Sequence, residues 1–139
     1  MLPAESDAFV FFGATGDLAY KQVFPALLSL VQRGAFDRPI IGVAKSGWDL
    51  PQLQARARAS VAERGPVDEA ALARLIGLLR YVDGDYADPA TFTQLRQALG
   101  AAQRPLHYLA IPPSLFTVVV KGLAESGCAA SARIVVEKP

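Results

Sequence analysis

A chain of 139 residues, 52% of them hydrophobic and 19% charged, is long enough for one compact domain with a real core and too short for two. Fourteen basic against thirteen acidic side chains leave a formal charge of +1, which excludes a polyanion such as nucleic acid from the expected partners. Cys128 is the single cysteine and can form no internal disulfide, the first eight residues hold Glu5 and Asp7 with no basic residue, and the apolar stretch after them is far shorter than a signal core or a membrane span, so a cytoplasmic protein without membrane attachment is predicted.

The apolar run from Ala8 to Gly13 reads as a strand covered on both faces, as parallel sheets require. It collapses at once into the turn Gly13-Ala14-Thr15-Gly16-Asp17-Leu18, which opens a helix. Two glycines three apart let the backbone turn tightly and approach a bulky anion, while the helix aims unpaired N–H groups and partial positive charge at the same point. The spacing is G-x-x-G rather than the longer G-x-G-x-x-G, and any strand-to-helix turn can use a glycine. Its place after the first strand is what points to a phosphate. Asp17 reads as an acid capping the helix N-terminus.

From Leu18 to Arg33 the residues Val23, Leu27, Leu30 and Val31 fall at helical spacing, with Gly34 placed to end the helix and Pro25 predicted to kink it or remove one hydrogen bond. Pro39 to Ala44 is a second strand, followed by the loop Lys45-Ser46-Gly47-Trp48. Leu50 to Arg64 is a helix ended by Gly65, on which Arg56, Arg58 and Arg64 read as a solvated face. Asp68 to Leu79 is a helix with Leu72, Leu75, Ile76 and Leu79 on one stripe, and Tyr81 to Tyr86 a short third strand. Asp88-Pro89 opens the next helix, which turns Phe92, Leu95 and Leu99 inward. Leu106 to Ile111 is a fourth strand, Ser114 to Ser126 a helix with Leu115, Val118, Val119 and Leu123, and Arg133 to Glu137 a fifth strand. Five strands alternating with helices predict an α/β fold, a Rossmann-type doubly wound parallel sheet with ligands at the carboxyl ends of its strands.

Those ends are Gly13 to Asp17, Lys45-Ser46, Asp85-Tyr86, Ala110 to Pro113, and Glu137-Lys138-Pro139. An NAD site places an acid after the second strand for the ribose 2′-hydroxyl, whereas a 2′-phosphate wants a cation and small donors, so Lys45 and Ser46 point to NADP. His107, the single histidine, lies several residues before the ligand end of its strand and reads as a core residue rather than a base. None of the four tyrosines has a lysine four positions on, so the Tyr-x-x-x-Lys pair of short-chain dehydrogenases is missing.

The motifs Phe12-Gly13-Ala14-Thr15-Gly16-Asp17-Leu18-Ala19, Pro25, Val43-Ala44-Lys45-Ser46, Tyr108-Leu109-Ala110-Ile111-Pro112-Pro113 and Glu137-Lys138-Pro139 together resemble the coenzyme domain of the glucose-6-phosphate dehydrogenase family, across essentially the whole chain. The resemblance implies that Gly13, Ala14, Thr15, Gly16, Asp17 and Leu18 hold the pyrophosphate, Lys45 and Ser46 the 2′-phosphate of NADP, Asp85 and Tyr86 the adenine side, and Ala110, Ile111, Pro112 and Pro113 the nicotinamide half. It further implies that Lys138 reaches both coenzyme and sugar phosphate, before a cis proline. By the same resemblance the function is oxidation of glucose 6-phosphate to 6-phosphogluconolactone in the pentose phosphate pathway.

Two departures bear on that expectation. Lysine at position 45, where the family often has arginine, gives a point charge without a bidentate grip on phosphate, which reduces the preference for NADP over NAD. The family also continues past the position of Pro139 into a larger domain that binds the sugar and makes the homo-oligomer contacts. The chain is therefore expected to bind coenzyme without turnover, with no catalytic residue of its own. The alternatives are a free-standing NAD(P)-sensing module and another NAD(P)-dependent sugar-modifying enzyme.

Overall fold

All five residues of β1 (Ala8–Phe12) are buried, as a central strand covered on both faces must be. The computed structural model, which describes residues 6–136, sets β2 (Ile40–Ala44) on one side of β1 and β4 (Pro105–Leu109) on the other. Outside these lie β3 (Leu79–Asp83), next to β2, and β5 (Arg133–Val136), next to β4. Every pairing is parallel. The order β3-β2-β1-β4-β5 reverses direction between β1 and β4, so connections leave to opposite faces there and a crevice opens at the carboxyl edge. Glu137, Lys138 and Pro139 lie outside the described residues.

The alternation of β1 assigns its side chains to two cores. Phe9 and Phe11 pack with Phe24 and Leu27 of α1 (Phe24–Gln32), Leu53 and Ala57 of α2 (Leu50–Ala62), and Leu72 and Leu75 of α3 (Glu69–Leu78). Val10 and Phe12 face the other way, onto Phe92, Leu95 and Leu99 of α4 (Pro89–Leu99) and Val119 and Leu123 of α5 (Phe116–Glu125). The sheet is thus doubly wound, as expected. Each fully buried phenylalanine of β1 contributes about 1.5–3 kcal/mol, which makes this strand the anchor of everything at its carboxyl end.

Helix starts follow the sequence closely. Asp49 accepts from the Gln52 N–H at 3.0 Å while the Gln52 side chain returns a bond to the Asp49 N–H, a full capping box. Asp68 caps α3, and Asp88 caps α4 with Pro89 at its first position. The boundary between α3 and β3 differs from the expectation. Leu79, placed on the helical stripe by its spacing, has extended backbone and pairs with Ile40, so α3 runs into β3 with no residue between. Strand β3 accordingly ends at Asp83, and residues 84–86 form the turn beyond it. Burial of Leu79 is satisfied in either state; the ladder to β2 decides it. The helix expected from Ser114 splits into a short 3₁₀ turn, Pro113–Leu115, and α5.

Pro25 does remove a hydrogen bond, and the chain answers with a π turn. Ala19–Val23 is a π-helical segment whose last bond runs from the Phe24 N–H to the Ala19 carbonyl, five residues back, and Pro25 is the second residue of α1. The carbonyls of Tyr20 and Lys21, which Phe24 and Pro25 would otherwise serve, are taken by α2 and its end: the Ser60 hydroxyl donates to Tyr20 at 2.5 Å and the Arg64 guanidinium donates to Lys21. Arg64, exposed as expected, is therefore also a structural donor. Arg58 stays exposed as expected.

Candidate functional site

Parallel pairing brings Gly13, Lys45, Asp83 and Ala110 to one edge of the sheet, because each directly follows or ends a strand there. At the centre is the turn after β1. Gly13 has φ +80°, and a Cβ on it would lie 2.2 Å from the Ala110 carbonyl oxygen, so only glycine fits. Its N–H is shared between the Val43 carbonyl and the Tyr86 hydroxyl, each at 2.9 Å, and that hydroxyl donates onward to Val43 at 3.2 Å. The first strand's turn is thereby tied to the ends of the second and third strands.

Gly16 is different from the expectation of a second conformationally obligatory glycine. It has no positive φ, is exposed, and a Cβ would meet nothing nearer than the Gly13 carbonyl oxygen at 3.4 Å. Beyond it the helix opens at Asp17, with the Tyr20 N–H bonded to the Gly16 carbonyl at 3.2 Å, so Gly16 stands at the cap position and Asp17 is the first helical residue rather than the cap the sequence suggested. The leading N–H groups of this helical segment have no intrahelical acceptor by position. They follow directly on the Gly13 turn. Ala14 is fully buried, Thr15 and Leu18 are half-buried, and Asp17 is exposed.

The loop after β2 closes on this turn. The Thr15 and Ser46 hydroxyls are 2.5 Å apart. Lys45 Nζ donates to Asp85 Oδ2 at 3.0 Å. Asp83, which the sequence reading passed over, organises the loop: its Oδ1 accepts the N–H groups of Ser46 at 2.9 Å and Gly47 at 3.0 Å and the Tyr81 hydroxyl at 2.5 Å. Partial burial opposes ionisation of Asp83, but these donors outweigh it and hold its carboxyl below the ordinary range. Burial and the neighbouring Asp83 carboxylate push the Tyr81 hydroxyl well above its usual value, so it stays a donor.

Arg56 also differs from the expectation. Rather than standing on a solvated face, its guanidinium lies 4.5 Å from the Tyr20 ring centroid and 5.9 Å from that of Trp48, and it donates to the Gly16 carbonyl at 3.3 Å. A cation is thus stacked against the turn after β1 by two aromatic rings. Neither contact is legible in local spacing, since Gly16 and Tyr20 precede Arg56 by more than thirty residues.

Tyr86 lies edge-on to Phe12, with centroids 5.7 Å apart, and reaches Gly13 with its hydroxyl, so it underpins the turn as well as bordering the site. Burial raises its ionisation above the ordinary tyrosine range, while the Gly13 N–H pulls it down. Ala110 is buried and bonds the Phe12 carbonyl through its N–H at 3.1 Å; Ile111 is half-buried and Pro112 exposed beside it. His107 is fully buried in β4, its Nε2 2.9 Å from the Cys128 carbonyl oxygen, away from this edge as the sequence reading held. Lys138, expected to reach coenzyme and sugar, lies outside the described residues. Among the described residues no helix is long and apolar enough to cross a membrane.

Comparison with known proteins adds the family. The family model described as glucose-6-phosphate dehydrogenase, NAD binding domain, matches residues 10–139. Glucose-6-phosphate 1-dehydrogenase 1 of Mycobacterium tuberculosis is 42% identical over 134 residues, covering 96% of this chain and 29% of that protein. The Saccharomyces cerevisiae glucose-6-phosphate 1-dehydrogenase is 32% identical, covering 92% and 28%. The crystal structure of the Mycobacterium avium protein of the same name superposes with a TM-score of 0.90 at 43% identity, covering 96% of this chain and 30% of that one. A glucose-6-phosphate dehydrogenase solved in complex with glucose 6-phosphate gives 0.81 at 29% identity, covering 96% and 31%. A short-chain dehydrogenase/reductase from Veillonella parvula, at 17% identity and TM-score 0.51, shares the fold alone. The chain spans under a third of the length of the relatives it matches. Matched from residue 10 to its last residue, this chain belongs to the NAD binding domain family of glucose-6-phosphate dehydrogenase.

Proposed function

We propose that the chain is the coenzyme-binding half of an NADP-dependent dehydrogenase that oxidises glucose 6-phosphate to 6-phosphogluconolactone. Residues 1–139 make the coenzyme domain, and the groups that hold and deprotonate the sugar belong to a partner domain. The observation that carries this reading is the closure of the Lys45-Ser46 loop onto the Gly13 turn, with the Thr15 and Ser46 hydroxyls 2.5 Å apart. One mouth then offers backbone N–H groups for a pyrophosphate and a cation for a 2′-phosphate. The fit is supported by the open space over Gly16 beside the tightly enclosed Gly13.

In this reading Gly13, Ala14, Thr15, Gly16, Asp17 and Leu18 line the pyrophosphate, and Lys45 and Ser46 take the 2′-phosphate. Asp85 and Tyr86 border the adenosine, and Ala110, Ile111, Pro112 and Lys138 flank the nicotinamide. The nicotinamide, when bound, supplies the hydride acceptor. What this chain contributes is position: the Ala110 backbone, fixed to β1, forms the wall beside the crevice, and holding reactants in register is worth about 7–11 kcal/mol of barrier in a complete site. NAD is the weaker alternative, and a cytoplasmic setting suits the lone buried thiol of Cys128.

The test is calorimetric titration with NADP⁺ and NAD⁺ of the chain and of Lys45→Glu, with an absorbance assay for NADPH formation from glucose 6-phosphate. Both coenzymes bind the unaltered chain, no turnover appears, and the variant loses NADP⁺ by about tenfold or more while NAD⁺ changes little. An equal fall for both would remove Lys45 as the 2′-phosphate ligand, and turnover would place chemistry within these residues.

A further inference from the structure

We infer that Asp85 sets the coenzyme selectivity of this site: its carboxylate occupies Lys45 where a 2′-phosphate would, and offers an acceptor to an unphosphorylated ribose, so that the site takes NAD as well as NADP. The inference rests on the coenzyme reading above and adds to it the residue that discriminates.

Asp85 is a fixed group. Its Oδ1 accepts the Ala87 N–H at 2.8 Å, and its backbone carbonyl accepts the Thr91 hydroxyl at 2.7 Å and the Asp88 N–H at 3.0 Å. The side chain is short and held at one oxygen, leaving Oδ2 turned to Lys45 Nζ at 3.0 Å. Lys45 is the more exposed partner, an ammonium on a long stem with its side chain 70% exposed against 49% for Asp85. A pair this open does little for the fold, but it decides what Lys45 is available to do. The Ala87 N–H and the Lys45 ammonium both favour the charged carboxylate, which stays ionised at neutral pH.

The nearby Asp83 cannot play the same part. Its oxygens are committed to the N–H groups of Ser46 and Gly47 and to the Tyr81 hydroxyl. Among the described residues, Asp85 is thus the carboxylate at the carboxyl edge of β2 and β3 whose outer oxygen meets only an exchangeable ammonium. An incoming 2′-phosphate must take Lys45 from it and then sit beside a negative charge. An incoming 2′-hydroxyl can donate to that oxygen and meets no repulsion. Selectivity here is a difference of two affinities, and Asp85 moves them in opposite directions.

The experiment compares Asp85→Asn with the unaltered chain in titrations of NADP⁺ and NAD⁺. Asparagine keeps an oxygen for the Ala87 N–H and removes the charge. NADP⁺ is expected to bind about fivefold tighter and NAD⁺ a fewfold weaker, moving their ratio by about tenfold. In a Lys45→Ala background the gain for NADP⁺ shrinks, because Asp85 then has no ammonium to release. Asp37→Asn, an exposed acid before the opposite end of β2, is the control and leaves the ratio in place. A ratio moved by less than about twofold in folded Asp85→Asn, or moved equally by Asp37→Asn, overturns the inference while coenzyme binding still stands. If the unaltered chain binds neither coenzyme, the coenzyme reading itself fails, and this inference with it.

Discussion

The two glycines of the turn after β1 are predicted to fail in different ways when replaced by alanine. At Gly13 the added Cβ sits 2.2 Å from the Ala110 carbonyl oxygen and 3.0 Å from both the Ala110 carbonyl carbon and Ile111 Cγ2. That wall cannot retreat cheaply, because the Ala110 N–H is bonded to the Phe12 carbonyl at 3.1 Å, in line with the β1–β4 ladder. The positive φ adds about 1–2 kcal/mol for any L side chain, and forced overpacking about 1–3 kcal/mol more. The loss of about 2–5 kcal/mol is a large part of the total stability of about 5–15 kcal/mol usual for a domain. With a urea slope of about 1–2 kcal/mol per molar, the midpoint falls by about 2 M. Gly16→Ala meets only the Gly13 oxygen at 3.4 Å and stays within about 0.5 kcal/mol of the unaltered chain. Gly16→Val, equally folded, loses coenzyme binding, because its side chain fills the anion's approach. Urea denaturation followed by circular dichroism, with titrations of the folded variants, measures both. The reasoning is refuted if Gly13→Ala costs less than about 1 kcal/mol, or if Gly16→Val binds coenzyme normally.

Burial lowers the pKa of His107 to about 4, although the Cys128 carbonyl beside Nε2 favours the charged ring. The folded chain therefore binds fewer protons than the unfolded one between about pH 6.5 and 4, and its stability falls as the pH drops through that window, by about 3 kcal/mol at the lower end. Denaturation of His107→Gln at pH 7 and 4.5 should show a shallower decline; identical slopes would refute the assignment. Ser60→Ala leaves the Tyr20 carbonyl without its donor and costs about 1–3 kcal/mol, and an unchanged thermal midpoint would mean that the hydroxyl bond does not support the π turn.

What could be read in advance follows the range of the physics involved. Strand β1, the Asp88-Pro89 helix start and the stripe Phe92, Leu95, Leu99 depend on neighbours within a few residues, and they appear where composition and spacing put them. The parallel order followed from the alternation of strands and helices. Leu79 was misassigned because a buried leucine satisfies a helical stripe and a strand equally, and the choice belongs to its ladder partner Ile40. Arg56 reads as a solvated residue, and the bond of the exposed Arg64 is not foreseen, because their partners, the Gly16 and Lys21 carbonyls, are reached only through the fold. The role of Asp83 is hidden for the same reason, since it receives N–H groups from a loop 36 and 37 positions earlier. Lys45 and Asp85 are each legible as residues at strand ends, but not that they touch.

The π turn at Ala19–Val23 also separates two angular requirements that a regular helix would lock together. Each residue of an α-helix advances the side-chain direction by about 100°, so the stripe Phe24, Leu27, Leu30 and Val31 and the residues Gly16 to Leu18 that follow the Gly13 turn would normally share one phase. The wider turn absorbs an extra residue and lets each end be aimed by its own surroundings, the sheet at one and the crevice at the other. A single deletion within residues 19–23 would restore regular hydrogen bonding up to Pro25 and still be harmful. It would swing either four apolar side chains off the sheet or the mouth of the turn away from Ser46, and Ser60 and Arg64 would be left facing carbonyls that had moved.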